Sequence, residues 1–159
     1  GRLLDGPFDL VVSFSVMEHI YRRQRHLTSV AACMDAESYF LINYDAGHFV
    51  RPGSIKERVK NLVGPLLARI GQEQYYQRFV PDQEFRTMAA QAGLEIEEAK
   101  FFNTCMKGLH KLIPDEQADE HLERWLAYEL WLNQCIPDYD DSMARHFVTR
   151  NFILRRAAG

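Results

Sequence analysis

Two short stretches of this 159-residue chain hold the side chains equipped for chemistry. The first is Ser13-Phe14-Ser15 followed by Glu18-His19, and the second is Tyr44-Asp45 with His48 just beyond. An imidazole with an unperturbed pKa of about 6.5 can take a proton from a hydroxyl near neutrality, which makes His19 and His48 candidate general bases. Tyr44 joins them on the acceptor side. Glu18 and His19 together also offer a carboxylate and a ring nitrogen to a divalent ion. Two ligands are few for a hard cation that takes about six oxygens, so no metal is expected. Each group has a plainer use as well: Ser13 to Ser15 as a tight turn with a helix cap, His19 as a hydrogen-bonded residue at a helix start, and Tyr44 to His48 as a polar loop.

Position in the chain makes these residues worth following. Leu10-Val11-Val12 is an unbroken apolar run, suited to a strand in a parallel sheet, and polarity returns at Ser13. Ser15-Val16-Met17-Glu18 has the spacing of a capping box and predicts a helix opening at Ser15. Leu27, Val30, Ala31 and Met34 then repeat at helical spacing. Arg22, Arg23, Arg25 and His26 beside that stripe form a solvated charged face, with phosphate or substrate binding as the alternative. Tyr39 to Tyr44 reads as a second strand, whose polar exit lies next to Ser13 to His19 if the two strands are parallel neighbours. Small polar residues at the carboxyl ends of such strands are where open α/β sheets meet ligands.

The rest of the chain keeps alternating. Phe49 to Tyr76 has a helical rhythm and a basic balance, with Pro65 expected to kink or split it, and serves either as a lid over a pocket or as a surface helix pair. Asp82 to Ala92 is the clearest helix, with Asp82 as its cap and Gly93 as its left-handed terminator. Leu94 to Phe102 is a strand. Asp115 to Gln134 is a helix, acidic at its start, whose Leu122, Trp125, Leu126, Leu130 and Leu132 predict packing against the domain or a partner. Phe147 to Arg155 closes the chain as a strand.

Composition sets outer bounds. With 47% apolar and 26% charged residues the chain is a single globular domain, 1–159, and a net charge of -3 gives no general attraction to nucleic acid or anionic membrane. No apolar run approaches a membrane span and no basic-then-apolar leader precedes the first strand, so a cytoplasmic location is the expectation. Cys33, Cys105 and Cys135 are odd in number and widely spaced, which reads as reduced thiols rather than a disulfide framework or metal site.

The segment FDLVVSFSVMEHI, from Phe8 to Ile20, resembles the fourth strand and following helix of class I S-adenosylmethionine-dependent methyltransferases. The run FVPDQEFRTMAAQAGLEIEEAKFF resembles the helix and sixth strand of the same family. The resemblance implies an α/β fold: a partial Rossmann-like sheet ordered 4-5-7-6, its last strand antiparallel, with flanking helices and an inserted helix at 115–136. It implies S-adenosylmethionine as cofactor, with Ser13, Phe14 and Ser15 lining the donor, and a small-molecule acceptor. Neither a membrane nor nucleic acid is expected as a partner, the basic stretch Arg51 to Arg69 being the one feature on the nucleic-acid side. Two departures stand out. Asp35-Ala36-Glu37-Ser38 replaces the usual Pro-Gly-Gly turn, and no Gly-x-Gly run exists for the family's donor loop. The chain is therefore expected to be the carboxyl-terminal half of a methyltransferase, inactive alone, or else a non-catalytic module of the same ancestry. In either case the strand Phe8 to Ser13 would form an uncovered, uncharged sheet edge that invites pairing with a second copy.

Overall fold

The computed structural model describes residues 6–45, 55–104, 112–136 and 146–157. Four strands form one sheet: β1 (Leu10–Phe14), β2 (Tyr39–Asp45), β3 (Leu94–Thr104) and β4 (Phe147–Arg156), in the order β1-β2-β4-β3. β1 and β2 are parallel, and β4 is inserted antiparallel between β2 and β3. This is the expected 4-5-7-6 arrangement. β1 and β2 run alongside each other in register, Leu10 opposite Tyr39 and Phe14 opposite Asn43, so both strands end at the same side of the sheet.

Among the described residues only one face of the sheet is covered. Side chains alternate along a strand, and the register puts Val11, Phe40, Ile42, Tyr44, Phe152 and Leu154 on one face. Helices α1 (Arg23–Ala32) and α3 (Asp82–Gln91) lie over that face, adding Leu27, Val30, Ala31, Phe85 and Ala89 to a continuous core. Its centre is aromatic: the Phe85 and Phe152 rings lie 4.6 Å apart and Tyr44 sits 5.4 Å from Phe85. The other face of β1 presents Leu10, Val12 and Phe14, which are 54%, 44% and 64% exposed. Apolar residues on an unprotected edge strand are what natural sheets avoid, so β1 has the composition of a covered strand without the cover. The opposite edge is managed differently. Asn133 of α4 (Ala118–Cys135) accepts from the Phe101 amide and donates to the Phe101 carbonyl, both at 2.8 Å, and so substitutes for a neighbouring strand.

A buried ion pair joins the sheet to α3. Arg150 on β4 is fully buried and donates from Nε to Asp82 Oδ1 at 3.0 Å, with its guanidinium 5.5 Å from the Phe101 ring centre. Asp82 was expected to cap α3. It is instead the helix's first residue, Pro81 occupies the cap position, and the carboxylate turns inward to the arginine. An uncompensated guanidinium at this depth would cost several kcal/mol, so the charge partner outranks the cap. Gly93 follows α3 at φ +74, the left-handed termination expected of it.

One further expectation is corrected and two are narrowed. The capping box at Ser15 does not form: Ser15 lies at φ 51, and its amide donates to the Asn43 carbonyl at 2.9 Å. That bond prolongs the β1–β2 pairing by one residue, and the left-handed backbone is incompatible with the extended geometry of a capping residue. A short 3-10 turn, Met17–His19, follows, and α1 opens only at Arg23. Of the two outcomes expected at Pro65, splitting does not occur, for α2 (Ile55–Arg69) runs through it as one element. Gly64 precedes the proline and has no Cβ to clash with the ring, which lowers the cost of helical backbone there. Finally, of the two coverings expected for α4 the domain supplies little: Leu122, Leu126 and Leu130 are exposed, and Trp125 and Leu132 are half-buried. The expected break at Pro137 to Asp141 and the residues Cys105 and His48 lie outside the described residues.

Candidate functional site

The carboxyl ends of β1 and β2 form a polar crest, and most of the sequence-predicted residues meet there. Because alternate strand residues face opposite ways, Ser13 lies on the helix-covered face and Phe14 on the open one, exposed beside Val16. Ser15 stands between the strand ends, its hydroxyl 3.5 Å from Asn43 Oδ1. Asn43 in turn donates to Asn151 Oδ1 at 2.6 Å, which holds this polar row across β1, β2 and β4.

The 3-10 turn lays Glu18 and His19 against the same crest. Glu18 is 2% exposed, while its neighbour His19 keeps half of its side chain in solvent. The turn is fixed from outside. Arg78 donates its amide to the Glu18 carbonyl at 2.9 Å, and the buried Arg23 donates from Nε to the Met17 carbonyl at 3.3 Å. Arg23 also reaches the carbonyls of Arg78 and Phe79 and pairs with Glu84 at 3.3 Å. The arginine thereby ties the turn, the start of α1 and the strap before α3 into one unit. That role takes up the Arg23 guanidinium, which the sequence left open to phosphate.

Burial pushes the Glu18 carboxyl above its ordinary value of 4.5, and the nearby Asp45 carboxylate adds to the rise. Its own and the Asp45 backbone amides, with His19, oppose the shift. Glu18 Oε2 is buried without a hydrogen-bond partner among the described residues. No group of three or more metal-ligating side chains exists among the described residues. The sequence treated Glu18 only as half of a helix cap or of a thin ion shell. Its burial at the strand ends was the missing signal, and no local pattern encodes it.

Tyr44 is placed differently from the other predicted residues. It is fully buried, its ring in the aromatic core and its hydroxyl 3.5 Å from Asp82 Oδ1, on the helix-covered face rather than at the crest. Asp45, one residue on, reaches the crest as the last residue of β2. A cleft of about 770 Å³ lies at the far end of the sheet, beside Ala31, Asp35, Gly93 and Arg156, away from all of these groups.

No family profile matches the chain, and no curated protein matches it. Solved structures do. One is a SAM-dependent methyltransferase from Methanosarcina mazei, with TM-score 0.51 and 9% identity over 98% of this chain and 62% of that one. Another is a SAM-dependent methyltransferase from Archaeoglobus fulgidus, with TM-score 0.49 and 15% identity over 96% and 62%. A third is the O-methyltransferase from a trans-AT PKS multienzyme of Brevibacillus brevis, in complex with S-adenosyl-L-homocysteine, with TM-score 0.47 and 14% identity over 97% and 46%. The likeness to the Methanosarcina mazei structure gives the chain the fold of class I S-adenosylmethionine-dependent methyltransferases, and the chain spans less than two thirds of the length of each of these three.

Proposed function

We propose that these residues form part of an S-adenosylmethionine-dependent methyltransferase acting on a small molecule. The observation that supports this reading is the convergence of Ser13 to Ser15, Glu18, His19 and Asp45 on the carboxyl ends of two parallel strands, where ligands of open α/β sheets bind. Ser13, Phe14 and Ser15 take the donor side. His19, half exposed, takes the proton of an acceptor hydroxyl, with His48 as the second candidate base. The sulfonium donor is intrinsically reactive, so alignment supplies most of the acceleration and no strong base is needed. Tyr44 supports this site from the core, by placing the end of β2.

The uncovered edge and open face of β1 fit a protein in which further elements carry the donor's glycine loop. Titration calorimetry with S-adenosylhomocysteine separates the possibilities. The 159-residue chain is expected to show no saturable binding, whereas the full reading frame that contains it binds at micromolar concentration. Micromolar binding by the 159 residues alone would overturn the missing-loop reading, and absence of binding by the full frame would overturn methyl transfer. That second result would favour a non-catalytic assembly module of the same fold, the reading that the exposed Leu122, Leu126 and Trp131 of α4 support.

A further inference from the structure

Helix α2 carries its apolar residues on the outside. Val59, Leu62, Val63 and Leu66, with Ile70 just past the helix end, are all exposed, Leu62 to 76% and Ile70 to 73%. At helical spacing they fall within an arc of roughly 100°, one continuous stripe. The inward side is small: Gly64 is buried and Ala68 is 2% exposed. An ordinary surface helix is oriented the other way, with its apolar stripe toward the core. The orientation is not a frayed end. Gly71 at φ +91 closes the helix with its amide bonded to the Ala68 carbonyl and the Gln72 amide to the Leu67 carbonyl, at 3.1 and 3.0 Å, a Schellman stop.

Charge decides which occupant this stripe suits. The helix sequence carries four basic residues, Lys56, Arg58, Lys60 and Arg69, against one acidic residue, Glu57. An apolar stripe on a basic helix matches a bilayer boundary, in which acyl chains receive the apolar side chains and anionic headgroups meet the cations. We propose that α2 docks in the plane of an anionic lipid bilayer, holding the domain at a membrane surface without crossing it. No helix among the described residues is long and apolar enough to span a membrane, which is consistent with peripheral binding.

Sedimentation with extruded vesicles tests this, and it does not read donor binding, so its outcome is independent of the proposed methyl transfer. The 159-residue chain is expected to pellet with vesicles of phosphatidylcholine mixed with phosphatidylglycerol, less so with phosphatidylcholine alone, and less as salt rises. Leu62→Glu with Leu66→Glu should reduce pelleting to the level without vesicles. Arg69→Gln, a milder change at an exposed site, should weaken binding to the anionic vesicles about fivefold. Leu122→Glu on α4 should leave it unchanged. Failure of the unaltered chain to pellet, or pelleting that survives the double substitution, would overturn the proposal. So would an unaltered chain that ignores vesicles but dissociates from dimer to monomer on the double substitution, since a second copy would then be the occupant.

Discussion

Glu18 is the buried carboxyl of the crest. Its carboxyl is buried beside a second carboxylate, a place that favours the protonated form. A folded-state pKa raised above the unfolded one means that the folded protein binds more protons between the two values. Stability is therefore greatest below about 4.5 and falls as pH rises through the folded value, since ionisation must then occur in a buried site. Glu18→Gln keeps the shape and removes the ionisation. Urea denaturation should show the variant more stable than the unaltered protein at pH 7, with the difference shrinking toward pH 4; an equal difference at both pH values would contradict the burial assigned to this carboxyl. Ser15 illustrates the opposite lesson. Its sequence context spells a helix cap, yet its amide is taken by Asn43 and its backbone is left-handed. A long-range bond to a neighbouring strand has overridden a local motif.

At the level of elements, the two sheet edges are handled in contrasting ways. The β3 edge is closed by Asn133, whose amide side chain bonds both polar groups of Phe101 and also donates to the Glu129 carbonyl at 2.8 Å. Because α4 leaves most of its apolar residues exposed, this side chain is a principal fastening of the helix to the sheet. Asn133→Ala should remove about 1–3 kcal/mol of local stability. Hydrogen exchange is the suitable measurement: the Phe101 amide and α4 should lose protection together while α1 and α3 keep theirs. Uniform loss across the molecule would show that α4 belongs to the main cooperative unit. The periodicities of α1 and α3 were legible because each buries a stripe against a sheet. Those of α2 and α4 located the helices and no more, because helical spacing reports that a helix has an apolar side and is silent on what meets it.

At the scale of the whole molecule, the described residues make a sheet with one face clothed and one edge open. The open edge at β1 is five residues long, uncharged and without proline, and it offers unpaired backbone groups next to exposed Leu10, Val12 and Phe14. The 159-residue chain by itself is expected to self-associate through this strand. Sedimentation velocity should show concentration-dependent dimers, and Val12→Lys, which places a charge on the exposed face of the edge, should return the chain to monomer. Dimers that persist in Val12→Lys would place the contact elsewhere, with α4 as the next surface to alter.

What the letters alone determined is the succession of strands and helices, the parallel pairing of the first two strands and the sheet order implied by the family resemblance. The succession follows from patterns that repeat within a few residues, namely the apolar runs of β1 and β2, the stripes of Leu27 to Met34 and Phe85 to Ala92, and the glycine at position 93, while the pairing and the sheet order rest on the family resemblance. Only the tertiary structure decided that Ser15 joins a strand pair rather than a helix, that Asp82 turns to Arg150, that Tyr44 lies in the core and that Glu18 is buried at the strand ends. Each of those outcomes depends on a partner between 27 and 68 residues away along the chain. A side chain's surroundings are set by whichever distant segment folding brings alongside, and local spacing carries no record of that.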